Sequence, residues 1–212
     1  MTKAEKMELF HRDNIANAAE KLFSANGIEK TSMDQIAKEA DYSKSTIYVY
    51  FKNKEEIVLF LVLKGMNEIR TNIEEVVDNN SDDTSEVEKY YQICHILTEL
   101  YDKSPFVFSR MLETIEMKKE ERLQVPLLDD IYQVGESIID KIAEFLESGK
   151  GNNSFVLDDD SHKVGFIYWM ILAGVITLGN KKVGYIEYQF DESKEEFLNQ
   201  VFGMMLGMIK NR

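Results

Sequence analysis

The residues best suited to chemistry lie between Tyr42 and Lys54, in the stretch YSKSTIYVYFKNK. It carries Lys44, Lys52 and Lys54 and no acid, with hydroxyls at Ser43, Ser45 and Thr46 and phenols at Tyr48 and Tyr50. Such groups donate hydrogen bonds to phosphate oxygens and to base edges, so the stretch is chemically matched to a nucleic acid. Ser43 is placed to cap a short helix, because its hydroxyl can accept from a free amide of the next turn. Tyr42 before it and Ile47 within the helix have the spacing of a hydrophobic staple. Lys44, Ser45, Thr46 and Tyr48 then stand at or near the helix N-terminus, where free amides favour anions.

Two further helices are needed to hold this one. Ile15, Ala18, Ala19, Leu22 and Phe23 repeat at helical spacing, which predicts a helix over about 9–25 that ends at Asn26-Gly27. A second helix begins at Thr31 or Ser32, where Ser32 and Gln35 have capping-box spacing, and turns Met33, Ile36, Ala37 and Ala40 inward. The turn Asp41-Tyr42-Ser43 follows, with Asp41 at a position where helix–turn–helix units often use glycine. The short helix is expected over 44–51, and a long one from about Lys54 to Asp78 with a mixed face suited to bridging two packed bodies.

These residues carry a family resemblance. I-x-x-A-A-x-x-L-F-x-x-x-G, then T-S-x-x-x-I-A, then Y-S-K-S-T-I-Y-x-Y-F-K-N-K-E-E-I, over residues 15–57, resemble the DNA-binding end of TetR-type (TetR/AcrR-like) transcriptional regulators. The likeness covers about the first quarter of the chain, with Asp41 in place of the usual glycine and Ser45 where glycine or proline is common. It implies that Lys44, Ser45 and Thr46 face the groove of duplex DNA, with Tyr48 and Tyr50 near phosphate and sugar. Lys54 would meet a phosphate beside the amide end of its helix, Ser43 would cap, and Thr31 and Ser32 would start the second helix or add contacts. The resemblance also implies a homodimer, a helical ligand-binding body, and operator DNA bound or released according to a small-molecule effector, most commonly as a repressor.

Charge supports contact at this end alone. The 212 residues carry a net charge of −13, yet residues 1–54 hold nine basic against eight acidic side chains. The other 158 residues hold 16 against 30, so the body would repel the phosphate backbone. Apolar content of 44% and charged content of 30% are those of an ordinary folded protein. The richest apolar run, residues 164–178, reads as too short to span a membrane and contains two glycines. The N-terminus lacks the apolar core of a signal peptide. One cysteine, Cys94, fits a reducing cytoplasm, and the histidines at 11, 95 and 162 share no ligand spacing with it, so neither metal nor cofactor is expected.

The expected fold is all-α with about nine helices: a three-helix helix–turn–helix bundle over 1–54 and a larger ligand-binding and dimerisation body over 55–212. Residues 79–86 read as a linker. Helices follow over about 84–102, with Val87, Tyr90, Tyr91, Cys94, Leu97 and Tyr101 inward, and over about 106–122, ending in the charged run KKEER at 118–122. Others run over 126–148, 161–178 and 193–210, separated by the loop GKGNNS and by residues 181–190, read as an extended connection. Asp158-Asp159-Asp160 suits the acidic first turn of a helix. Phe166, Met170, Ala173 and Gly174, with Phe197, Val201, Met204 and Gly207, form a face suited to close helix pairing, which the resemblance makes a four-helix dimer interface. Tyr91, His95, Met111, Tyr132 and Trp169 are the candidate effector contacts, with an apolar or amphipathic effector. The alternatives are a helical enzyme and a protein-binding regulator whose helix–turn–helix no longer touches DNA. No GxSxG, P-loop, dinucleotide fingerprint or HExxH motif supports an enzyme.

Overall fold

A reciprocal capping box starts the chain. The Thr2 hydroxyl accepts from the Glu5 amide and the Glu5 carboxylate accepts from the Thr2 amide, so α1 spans Lys3–Asn26, two turns longer at its start than the apolar stripe alone predicts. Gly27 ends it at φ 82°, in the positive-φ region that favours glycine. The computed structural model describes residues 1–79, 84–114 and 122–209. Among these lie α2 (Met33–Glu39), α3 (Lys44–Tyr50), α4 (Lys54–Asp78), α5 (Glu86–Lys103) and α6 (Pro105–Thr114). They are followed by α7 (Pro126–Gly151), α8 (Ser161–Lys181), α9 (Val183–Phe190) and α10 (Lys194–Leu206), with no strand among the described residues. The fold is all-α, a helix–turn–helix bundle with a larger helical body. The centre of the expected linker, most of the charged run at 118–122 and the expected helix end at Lys210 lie outside the described residues.

Contacts sort the chain into two units, residues 1–66 with 104–133, and residues 67–103 with 134–212. Residues of α4 and of α7 fall in both. In the first unit α1 packs on α2, α3 and α6. Its core joins Ile15, Ala19, Phe23, Ile36, Ile47 and Phe51 to Ile57, Phe60 and Val107. The Arg12 guanidinium lies between the Phe51 and Phe60 rings, 4.8 and 4.7 Å from their centroids, tying α1 to the end of α3 and the start of α4.

In the second unit α5 packs on α8 and α10, and α9 lies against both α8 and α10. The inward face of α5 is rotated from the one predicted. Tyr90, Cys94 and Leu97 are buried with Ile93, Ile96 and Leu100, whereas Val87, Tyr91 and Tyr101 are half-exposed. Residues 181–190 are not extended: Val183, Ile186 and Phe190 recur at helical spacing, and Asp191 closes α9 in the left-handed conformation. The glycines of GKGNNS belong partly to α7. Gly149 is there because a side chain would collide with the Phe155 ring, which packs back on the helix. Asp160 caps α8 by accepting from the Lys163 amide at 3.1 Å. At 21 residues α8 exceeds the predicted span, and by length and composition it is able to cross a membrane. Its inner face, with Trp169, Leu172, Ala173 and Ile176, is buried within the protein.

Candidate nucleic-acid interface

The geometry of α2, turn and α3 follows from their caps. Ser32 and Gln35 form the expected capping box, with the Gln35 amide donating to Ser32 Oγ at 3.2 Å and the Ser32 amide to Gln35 Oε1 at 2.8 Å. At the other end the Tyr42 amide donates to the Ala37 carbonyl at 2.9 Å and the Asp41 amide to the Lys38 carbonyl at 3.3 Å. That is the paired closure of a Schellman motif, and it places Asp41 at φ 60°. Aspartate tolerates this region better than most residues, which explains how the turn forms without glycine.

Ser43 caps α3 by accepting from the Thr46 amide at 3.1 Å. Its hydroxyl also lies 2.8 Å from Ser45 Oγ and 2.7 Å from Thr46 Oγ1, so three hydroxyls share one network at the helix start. α3 has no acid in its first turn. Ile47 is fully buried, and Tyr42 packs against the same core cluster. Lys44, Ser45, Tyr48 and Val49 are exposed; spacings of four residues from 44 to 48 and from 45 to 49 put them on neighbouring turns of one face. Val49, 76% exposed, was missed by a reading that looked for polar groups. An exposed apolar residue on such a helix is suited to a thymine methyl. Its signal in the sequence was position, four residues after Ser45.

Other expected contacts are less free than their types imply. Thr31 is 2% exposed, and its hydroxyl donates to the Gly27 carbonyl at 2.9 Å, so it fastens the loop between α1 and α2 and offers nothing to a ligand outside. Lys44 Nζ lies 2.7 Å from Asp34 Oδ1, and this hydrogen-bonded partner holds its ammonium above the usual lysine range. Tyr50 is turned partly inward, with its ring 5.2 Å from that of His11. Lys54 Nζ donates to the Ile28 carbonyl at 2.7 Å. The start of α4 already has acceptors, since the Glu56 amide donates to Asn53 Oδ1 at 2.8 Å and Glu55 and Glu56 occupy the first turn. Lys52 is exposed, although its backbone amide is bound by Glu56.

The five candidate effector contacts are divided between the two units. Met111 and Tyr132 belong to the first unit, Met111 fully buried and Tyr132 lying beneath the Arg122 guanidinium. In the second unit a cavity of about 40 Å³ is walled by Tyr90, Cys94, Phe145, Tyr168, Trp169 and Met205, among others. Of the five only Trp169 lines it. Tyr91 packs edge-on to Tyr90, and the His95 ring packs against Phe202. Both wall tyrosines already donate inside the protein, Tyr90 to the Phe202 carbonyl at 3.0 Å and Tyr168 to the Met205 carbonyl at 2.6 Å. Burial pushes the Cys94 thiol up to about 12 and the Tyr168 phenol up to about 12. Periodicity found the buried stripe but not which parts of it leave space. Among the described residues no group of three or more His, Cys, Asp or Glu side chains converges as metal ligands.

The helix-pairing face is largely exposed. Phe166, Met170, Gly174, Met204 and Gly207 lie open, Phe197 and Val201 are half-buried, and only Ala173 turns inward and belongs to the core. α9 enlarges this apolar surface with Tyr185 and Phe190, which the expectation of an extended 181–190 does not include.

A family profile described as "Bacterial regulatory proteins, tetR family" matches residues 15–60, from α1 through the start of α4. An HTH-type transcriptional regulator of Staphylococcus aureus (strain bovine RF122 / ET3-1) is 32% identical over 73 residues, covering 34% of this chain and 40% of that relative. The chain is therefore aligned with less than half the length of that relative. Across nearly the whole chain the fold is similar to solved structures of low identity. The fatty acid degradation regulator FadR of Bacillus halodurans has a TM-score of 0.67 at 19% identity, covering 92% of this chain and 94% of that one. FadR of Bacillus subtilis, solved with stearoyl-CoA, has a TM-score of 0.67 at 18% identity, over 91% and 96%. The ketosteroid regulator KstR2 of Mycobacterium tuberculosis has a TM-score of 0.65 at 15% identity, over 95% of each chain.

Proposed function

We propose that this chain, which belongs to the tetR family of bacterial regulatory proteins, is a cytoplasmic, ligand-responsive repressor that binds a pseudo-palindromic operator as a homodimer. One observation carries the reading. α3 presents Lys44, Ser45, Tyr48 and Val49 to solvent on a helix without an acid, held by caps and by Ile47. Side chains of these types read base edges and phosphates, whereas the acidic remainder of the chain opposes DNA. Ser43 and Ser32 cap, Thr46 supports the hydroxyl network, and Lys54 has ammonium protons beyond the one given to Ile28 with which to meet a phosphate.

The dimer reading rests on the outer face of α8 and α10, extended by α9. An apolar face of this kind seeks a partner, and a second copy doubles the half-sites read, with centres about 34–36 Å apart or a multiple of that. The inner face of α8, with Trp169, Leu172, Ala173 and Ile176 packed within the protein, favours a protein partner over lipid for its outer face. The effector reading rests on the apolar cavity beside Trp169. At about 40 Å³ it is far below the roughly 300–1,000 Å³ of small-molecule sites, so an effector would enter by parting its walls. With both wall phenols already engaged, an apolar group suits it best. Stearoyl-CoA in the Bacillus subtilis FadR structure is one precedent for a ligand with a long apolar part. The effector would alter DNA binding only as far as it prefers one dimer arrangement. α4, which contributes to both units, is the element proposed to carry the change.

Selection of bound fragments from the source genome tests this function. The expected result is a small set sharing a pseudo-palindrome, bound with steep salt dependence. Retention of all sequences alike, or of none, would remove the regulator reading.

A further inference from the structure

His11 is not among the candidate DNA contacts, and its surroundings are specific. It stands on α1, half-buried, with Nδ1 2.6 Å from the Tyr42 hydroxyl. Its ring meets the Tyr42 ring edge-on at 5.6 Å and lies 5.2 Å from the Tyr50 ring at a tilt of 35°. Phe10 closes the cluster edge-on at 5.6 Å. Tyr42 directly precedes the Ser43 cap of α3, and Tyr50 is the last residue of α3. One imidazole therefore touches both ends of the helix that faces DNA.

A seven-residue helix is too short to hold its own structure, so its rotational setting comes from what it packs on. Ile47 anchors its middle in the core. Phe51, just past the last turn, is buried beneath the Arg12 guanidinium, and the Tyr42 amide is tied to the Ala37 carbonyl. His11 is the side chain that joins both ends of α3 through the tyrosines flanking these anchors. An apolar residue at position 11 would still pack against the tyrosine rings, but it would leave the half-buried Tyr42 hydroxyl without its partner. On these grounds we propose that His11 is a positioning residue for the recognition helix α3, acting through Tyr42 and Tyr50 to set how Lys44, Ser45, Tyr48 and Val49 meet the bases. The proposal rests on the DNA-binding reading above. It differs from a general stabilising role in one respect. Base readout depends on the setting of α3, whereas attraction of the basic end to phosphate does not.

The test uses the full chain, the duplex recovered by genomic selection and a scrambled duplex of the same composition at one salt concentration. His11→Leu, His11→Asn, Tyr42→Phe and the double variant His11→Leu/Tyr42→Phe are compared with the wild type, each checked by thermal melting. His11→Leu and Tyr42→Phe should each lower operator affinity by about 2- to 10-fold, the equivalent of one hydrogen bond, with scrambled-duplex binding unchanged. His11→Asn, whose amide oxygen can accept from Tyr42, should restore most of the loss. The double variant should bind no worse than the weaker single one, because both remove the same bond. Operator affinity at the wild-type level in His11→Leu or Tyr42→Phe would overturn the proposal. So would equal losses on both duplexes, or an additive double variant. If His11→Leu fails to fold, Tyr42→Phe and His11→Asn decide alone. Failure of the wild type to prefer its operator removes the DNA-binding reading itself, which the wild-type arm reports before any variant is compared.

Discussion

At the scale of single residues, hydrogen-bond partners decide more than residue type. Lys54 and Thr31 both stand in the stretch that resembles a DNA-binding end, yet one keeps ammonium protons beyond its bond to Ile28 and the other is enclosed. Lys54→Met should weaken binding to all duplexes alike and lower the salt slope by about one, because a phosphate contact carries no sequence information. Loss of the bond to the Ile28 carbonyl should add about 1 kcal/mol of destabilisation, read by denaturant melting. Cys94 makes a separate prediction. Burial raises its pKa to about 12, so the folded protein keeps a neutral thiol at pH 8 while an unfolded chain has thiolate present. A thiol reagent should therefore label Cys94 only on unfolding. The sign for stability follows: with the folded thiol's pKa raised, folding loses support as pH rises above the unfolded value near 9, and none is lost below it.

At the scale of elements, caps were the most legible feature of the chain. Ser32 and Ser43 cap where their spacing placed them, because a cap is a local bond between residues three apart, whereas Asp160, read as part of an acidic first turn, is itself the cap of α8. Asp41 also takes the left-handed turn position expected of it. Asp41→Gly should stabilise the fold by about 0.5–1 kcal/mol, the relief of a left-handed residue less the added freedom of glycine in the unfolded chain, with operator preference unchanged. Thermal melting measures it. The elements that were misread depend on distant partners. Gly149 looks like a loop residue until Phe155 is seen against it, and α9 looks extended until Val183, Ile186 and Phe190 are placed on one surface. Of the candidate effector contacts only Trp169 lines the cavity, for the same reason. Helical spacing tells which residues face inward, but not which inward faces meet or where they leave a cavity.

At the scale of the whole molecule, the exposed apolar face of α8, α9 and α10 is the feature a single chain does not explain. Met204, 73% exposed, lies on it. Met204→Glu should shift the proposed dimer to monomer in sedimentation, because burying an unpaired carboxylate on each copy opposes association. The monomer should keep its helix content and lose most of its operator affinity, since only one half-site remains within reach of each molecule. Nearly all of the charge argument lives at this scale too. A net of −13 reads as a poor DNA binder until the stretch from Tyr42 to Lys54, with three lysines and no acid, is set apart from the acidic remainder. Two copies of α3 are proposed to read one two-fold operator. Protection mapping at nucleotide resolution, combined with the stoichiometry of the complex, tests it most directly. The expected result is two protected half-sites related by a two-fold axis, with centres about one duplex turn or a whole number of turns apart, and an even number of chains per duplex. A single unrepeated footprint bound by one chain would contradict it.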